Sequence, residues 1–125
     1  MRIAGDGGRG LDMPHPGRSP DYVIEKLTTT LHCLVKHQGD ARARVRDCYL
    51  CFHTLREEDF PDELRGDFRW IMKTITRAGP VTVGEKVWGG SVENTMRQSR
   101  NVTAARVADR IWKLYWATSK NIAYE

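Results

Sequence analysis

Nowhere does this chain carry an apolar run near the ~20 residues that a membrane-spanning helix needs. Its longest apolar stretches, Tyr22 to Ile24 and Ile111 to Tyr115 with Lys113 inside, stop far short, so no bilayer span is expected. Strand-like alternation is almost as scarce. It is confined to residues 81–90, too little to build a sheet by itself. No segment repeats at the ~20–50 residue period of a solenoid. The first residues have no apolar core and no small-residue cleavage pattern, so a secretory signal is not expected. Cysteine is limited to Cys33, Cys48 and Cys51, an odd number set within helical apolar patterns. A complete disulfide framework is thereby excluded, and a reducing cytoplasm is the expected setting.

What remains is a chain of 125 residues, 40% hydrophobic, which suits one domain with one core. Residues 1–18 hold Gly5, Gly7, Gly8, Gly10 and Gly17 with Pro14 and Pro16. Such a composition buries too little to offset ordering entropy, so a disordered tail is expected. Gly5 to Gly10 spell G-x-G-x-x-G, but no strand precedes them and no helix opens after them, so the dinucleotide reading lacks its βαβ setting. Met13 offers an alternative start of translation.

Beyond the tail, the apolar residues recur at helical spacing. Ser19 and Pro20 cap and open a first helix with Val23, Ile24, Leu27, Leu31, Leu34 and Val35, ended by Gly39. Asp40 caps a second, whose stripe is Val45, Cys48, Tyr49, Phe52 and Leu55, joined to the first by a tight hairpin. After the acidic turn Glu57-Glu58-Asp59, Pro61 opens a third with Leu64, Phe68, Ile71, Ile75 and Ala78, stopped by Gly79-Pro80. Residues 81–90 read as a loop. Ser91 caps a short helix, and Asn101 caps a long last one carrying Ala104, Val107, Ala108, Ile111, Leu114 and Tyr115. The spacing predicts an all-α fold: a compact bundle of four to five helices, mostly antiparallel, over residues 19–120, with tails at 1–18 and 121–125.

Several residue sets suggest chemistry. Cys48 and Cys51 form a C-x-x-C, and Cys33 and His53 would lie nearby if the first two helices pair antiparallel, a conceivable metal site. Mid-helix cysteines among Tyr49, Leu50 and Phe52 fit better as small hydrophobes, so no metal and no cofactor is expected. A thioredoxin-like role lacks the strand that should precede the motif.

Arg46-Asp47-Cys48-Tyr49-Leu50-Cys51-Phe52-His53 resembles the R-x(4-6)-H signature of HEPN ribonucleases over these eight residues. That resemblance implies RNA cleavage, with His53 moving a proton and Arg46 steadying a phosphate from one helical face.

The net charge of +4 and pI near 9.1 permit a polyanionic partner. Residues 91–120 concentrate Arg97, Arg100, Arg106, Arg110, Lys113 and Lys120 against Glu93 and Asp109. Arg106, Arg110 and Lys113 share a helical face that could track phosphates, with Trp112 and Trp116 alongside to stack on bases or cover an apolar partner. Residues 56–67 are the acidic pole, with Glu57, Glu58, Asp59, Asp62, Glu63 and Asp67 available to a basic partner or a second copy. Four tryptophans exceed what the predicted core stripes absorb. Trp88, Trp112 and Trp116 are therefore candidates for partner binding. The leading expectation is a non-enzymatic protein that binds a protein partner or forms a homo-oligomer. Binding of DNA or RNA through the basic last helix comes second, and a HEPN-like ribonuclease third.

Overall fold

The computed structural model describes residues 18–123, apart from the side chains of Val87, Trp88 and residues 121–123. The Gly/Pro-rich stretch predicted as a tail lies outside these residues, except for Arg18. The fold is all-α in its bulk. Its elements are α1 (Pro20–Lys36), α2 (Ala41–Cys48), α3 (Asp62–Ile75), β1 (Val81–Val83), β2 (Lys86–Gly89), α4 (Ser91–Gln98) and α5 (Asn101–Ala123). Short 3-10 turns at Tyr49–Cys51 and Glu57–Asp59 link α2 to α3.

Local chemistry explains most of the starts. The Ser19 side chain accepts from the Tyr22 amide with Pro20 in the first turn, and the Asp40 carboxylate accepts from the Ala43 amide. Pro61 is the N-cap of α3 rather than its first residue, a shift that leaves Asp62 and Glu63 in the first turn, where the helix dipole favours them. α1 stops at Lys36, earlier than Gly39. The reason lies in the turn itself: the Gly39 amide donates to His37 Nδ1, and Arg44 donates to the carbonyls of Gly39 and Leu34. Gly39 is obligatory there, because a Cβ would stand 2.7 Å from that of Ala43.

The inner stripes meet at α5. Ala104, Val107, Ile111 and Leu114 are buried along one face of α5, which packs against α1, α2 and α3. α1 contributes Val23, Leu27 and Leu34; α3 contributes Leu64, Phe68, Ile71 and Ile75. Fully burying one such side chain stabilises by about 1.5–3 kcal/mol. The polar side chains of this interior are all partnered: Thr30, Ser99 and Thr118 donate to carbonyls one turn back, and Thr95 accepts from the Ala78 amide.

Three departures from the sequence reading have local causes. The second helix ends at Cys48, not Leu55; the chain then turns through residues 49–54 and still buries Phe52 and Leu55, running back along α1. Residues 81–90 form an antiparallel hairpin, not a loop, with Thr82 opposite Val87 and Gly84 at φ +63° in the turn. α5 continues to Ala123, so its last turn occupies positions assigned to a C-terminal tail.

The return strand is held to α1 at both ends. Near the α1 N-terminus, the Asp59 carboxylate is buried and accepts from the Arg18 amide at 2.6 Å, the Arg18 guanidinium at 2.9 Å and the Arg56 amide at 2.8 Å. The same guanidinium donates to the Thr54 carbonyl and lies over the Tyr22 ring, whose hydroxyl bonds Thr54. Near the α1 C-terminus, a disulfide joins Cys33 to Cys48. That bond corrects the reading of Cys33 and Cys48 as small core hydrophobes, and removes the argument by which the cysteines pointed to a reducing compartment.

Two predictions follow from these ties. Burial is the largest single influence on Asp59 and opposes its ionisation, yet the hydrogen bonds from Arg18 and Arg56 together outweigh it and hold the carboxyl below its ordinary value. Its stabilisation is thus complete above the unfolded value of about 3.9 and is lost as pH falls through the lower folded value. Asp59→Ala should lower the unfolding free energy by about 2–3 kcal/mol in urea at pH 7 and lose that difference in strong acid. Reducing the disulfide, which spans 15 residues, should cost about 3 kcal/mol in paired urea titrations with and without reductant.

Candidate functional site

α5 has more apolar surface than its inner stripe uses. Val102, Ala105, Asp109, Trp112 and Trp116 step along a second seam outside the buried one. α1 repeats the pattern, with Ile24, Thr28, Leu31 and Val35 beside the buried Val23, Leu27, Thr30 and Leu34. Where the C-terminal half of α1 meets the N-terminal half of α5, these outer seams enclose an open groove of about 540 Å³. Leu34 and Ala108 line it between the walls Leu31, Val35 and Trp112, and Ala105 and Ala41 keep it wide because they project so little.

Its apolar rim is exposed. Val35 is 77% exposed and Trp112 50%; Trp116, one turn beyond the groove, is 55% exposed. The indoles stack with centroids 6.2 Å apart, and Trp112 stacks on Tyr115 at 5.8 Å. Charges near the groove are engaged elsewhere: Arg44 on the carbonyls of Leu34 and Gly39, Asp40 in capping α2, and Asp109 with Lys113 at 3.0 Å. The Ala43 amide, then Arg42, holds Asp40 below its ordinary carboxyl value. What the groove offers is therefore contact area for an apolar surface, with no group poised to transfer a proton.

Of the residues singled out for partner binding, Trp112 and Trp116 are thus brought together. The Trp88 side chain lies outside the described residues. The groove walls Leu31 and Val35 were legible only in part: the apolar residues of α1 fill two adjacent seams, more than one interface requires.

The basic residues do not form one free face. Arg110 turns toward α3, 3.1 Å from Asp67 and stacked over the Trp70 ring at 4.5 Å, on the side of α5 away from Trp112. Lys113 is paired with Asp109, while Arg97 bonds Asn94 and is exposed. Arg100 and Arg106 are exposed and form no ion pair among the described residues. Four of the six carboxylates of the acidic pole are paired within the fold: Asp59 with Arg18, Glu57 with Arg69, Asp62 with Arg65 and Asp67 with Arg110.

The helical face required by the HEPN-like match is not formed, because α2 ends two residues after Arg46 and His53 follows a turn. The Arg46 guanidinium is bound to Asp47, and His53 Nδ1 meets the Leu50 carbonyl at 2.9 Å. Arg46, then His37, lowers the Asp47 carboxyl to about 2. Nor do the proposed metal ligands converge: Cys33 and Cys48 are joined to each other, and no cluster of three metal-ligating side chains occurs among the described residues.

No protein-family model matches this chain, and no curated protein or solved structure matches it either. Function must be argued from the groove itself. Because Trp112 and Trp116 are half exposed, replacing either with Ala should change stability by less than about 1 kcal/mol, whereas Ile111→Ala, from the buried stripe, should cost about 2–5 kcal/mol. Paired urea titrations of the three variants check the assignment.

Proposed function

We propose that this chain is a non-enzymatic interaction module that receives an amphipathic helix of a protein partner in the groove between α1 and α5. One observation carries the reading: Trp112, half exposed and stacked on the half-exposed Trp116 one turn further on, stands at the wall of an open apolar groove. Scattered exposed apolar residues are ordinary, but adjoining ones that rim a concavity are the pattern of a surface kept for a partner. A groove between two helices accepts a third by the same ridge-and-groove packing that joins the first two. Large aromatic side chains supply most of the energy in such contacts, because they bury much area for little loss of rotamer freedom.

The partner would present apolar residues at helical spacing, one of them seated over Ala105 and Ala108 and flanked by the Trp112 ring. Specificity in this reading comes from shape, since the nearby charges already serve the fold.

Selection of helical peptides from a displayed amphipathic library against the intact chain tests the proposal. Binders should lose about thirtyfold in affinity on Trp112→Ala, equivalent to ~2 kcal/mol, and stay within a factor of about two on Arg106→Ala. Failure to select any binder, or binders indifferent to Trp112→Ala, would sink the groove. Salt-sensitive retention of an oligonucleotide that depends on Arg100 and Arg106 would move the function to the basic surface instead.

A further inference from the structure

The two sulfurs of the Cys33 to Cys48 bond stand in different surroundings. Cys48 is 1% exposed within the core, between Val45 and Phe52 in its stripe. Cys33 is only partly buried and lines a shallow surface pocket of about 330 Å³ with Thr29, His32, Lys36 and His37. One end of the bond is therefore open to small solutes and the other is closed. Access is one of the factors, with the acidity of the leaving thiol, that decide which sulfur of a disulfide an incoming thiolate attacks.

The pocket is also polarised. Lys36 and His32 are exposed, and Lys36 has no ion pair among the described residues. His37 is fixed at both ring nitrogens: Nδ1 accepts from the Gly39 amide at 2.9 Å, so Nε2 carries the proton donated to Asp47 at 2.7 Å. Asp47 is in turn bound by Arg46. No carboxylate lines the pocket itself, and its one permanent charge is positive.

We propose that the Cys33–Cys48 disulfide is a thiol-exchange site, at which a small anionic thiol enters the pocket beside Lys36 and forms a mixed disulfide with Cys33. The incoming thiolate sulfur bonds to Cys33 Sγ while the Cys33–Cys48 bond breaks. The bond's electron pair leaves on Cys48 Sγ, which takes up a proton. One disulfide is exchanged for another, with no net oxidation. Cys48 is released into apolar surroundings that favour the thiol over the thiolate. Its return attack on Cys33 is slowed accordingly, and the adduct persists. A second equivalent of the small thiol attacks its own sulfur in the adduct, frees Cys33 as a thiolate and departs as a symmetrical small disulfide. Cys51, the described cysteine outside the bond, takes no part in these steps.

The test uses the wild-type chain purified without reductant. It is treated with mercaptoethanesulfonate, an anionic thiol, or cysteamine, a cationic one, then quenched with N-ethylmaleimide and followed by intact mass and peptide mapping. Each rate is divided by that of the same thiol on a short unstructured peptide disulfide, which removes differences in intrinsic reactivity. The normalised rate should be about fivefold higher for the anionic thiol, the ratio falling toward one in high salt. The first adduct should map to Cys33. Lys36→Glu changes only an exposed residue and should abolish or invert the preference. Equal normalised rates, a first adduct on Cys48 or Cys51, or Cys33 and Cys48 both alkylated before any thiol is added would each overturn the proposal.

Discussion

The inner face of α5 serves three partners at once. Ala104, Val107, Ile111 and Leu114 must satisfy α1, α2 and α3 together. Dense packing tolerates little adjustment at such a junction. Once that face is committed, the rest of the fold is largely a matter of delivering the other stripes to it. The disulfide and the buried Asp59 lie at opposite ends of α1 and fold residues 41–59 back along it. The hairpin β1–β2 carries the chain from α3 to α4, and Asn94 of α4 bonds the Gly79 carbonyl at its base.

The same constraint accounts for the groove. A helix has room for one buried stripe of modest width, and α5 spends its stripe on three neighbours grouped on one side. Large apolar residues beyond that stripe are left exposed, and on α5 they are Val102, Trp112 and Trp116, the two indoles stacked on each other. Those on α1 that match them, Leu31 and Val35, sit across a gap left open by Ala105 and Ala108. Arg110, which spacing alone would place with the free cations, shows the converse. Stacked on Trp70 and paired with Asp67, it seals α5 to α3 and is spent on structure.

Much of this architecture was legible in the residues. The caps Ser19 and Asp40, the 4-3-4 stripe of α3 and the inner seam of α5 are signals carried by near neighbours in sequence, so spacing suffices to read them. What escaped depends on contacts between distant segments. The early end of α2 is one example, since a continuous helix and a helix followed by turns bury Phe52 and Leu55 equally well on paper. The pairing of Cys33 with Cys48 is another: it needs the antiparallel return of α2 along α1, and three cysteines gave no parity to suggest it. Of the site, the exposure of Trp112 and Trp116 followed from the surplus of aromatics. The concavity beside them did not, because a gap arises from which small residues face each other across two helices.

The position of α5 after the three helices it joins has a consequence for biosynthesis. A ribosome releases the chain from its N-terminus, so α1, α2 and α3 all emerge before the surface that their stripes require. Until residues as far as Leu114 have left the exit tunnel, Leu27, Ile71 and Val45 have no shared neighbour and stay wetted. The α1 to α2 hairpin can close early through its short loop, but the core as a whole waits for α5 to emerge. Nascent chains of this protein thus carry the stripes of α1, α2 and α3 without their common partner until α5 arrives.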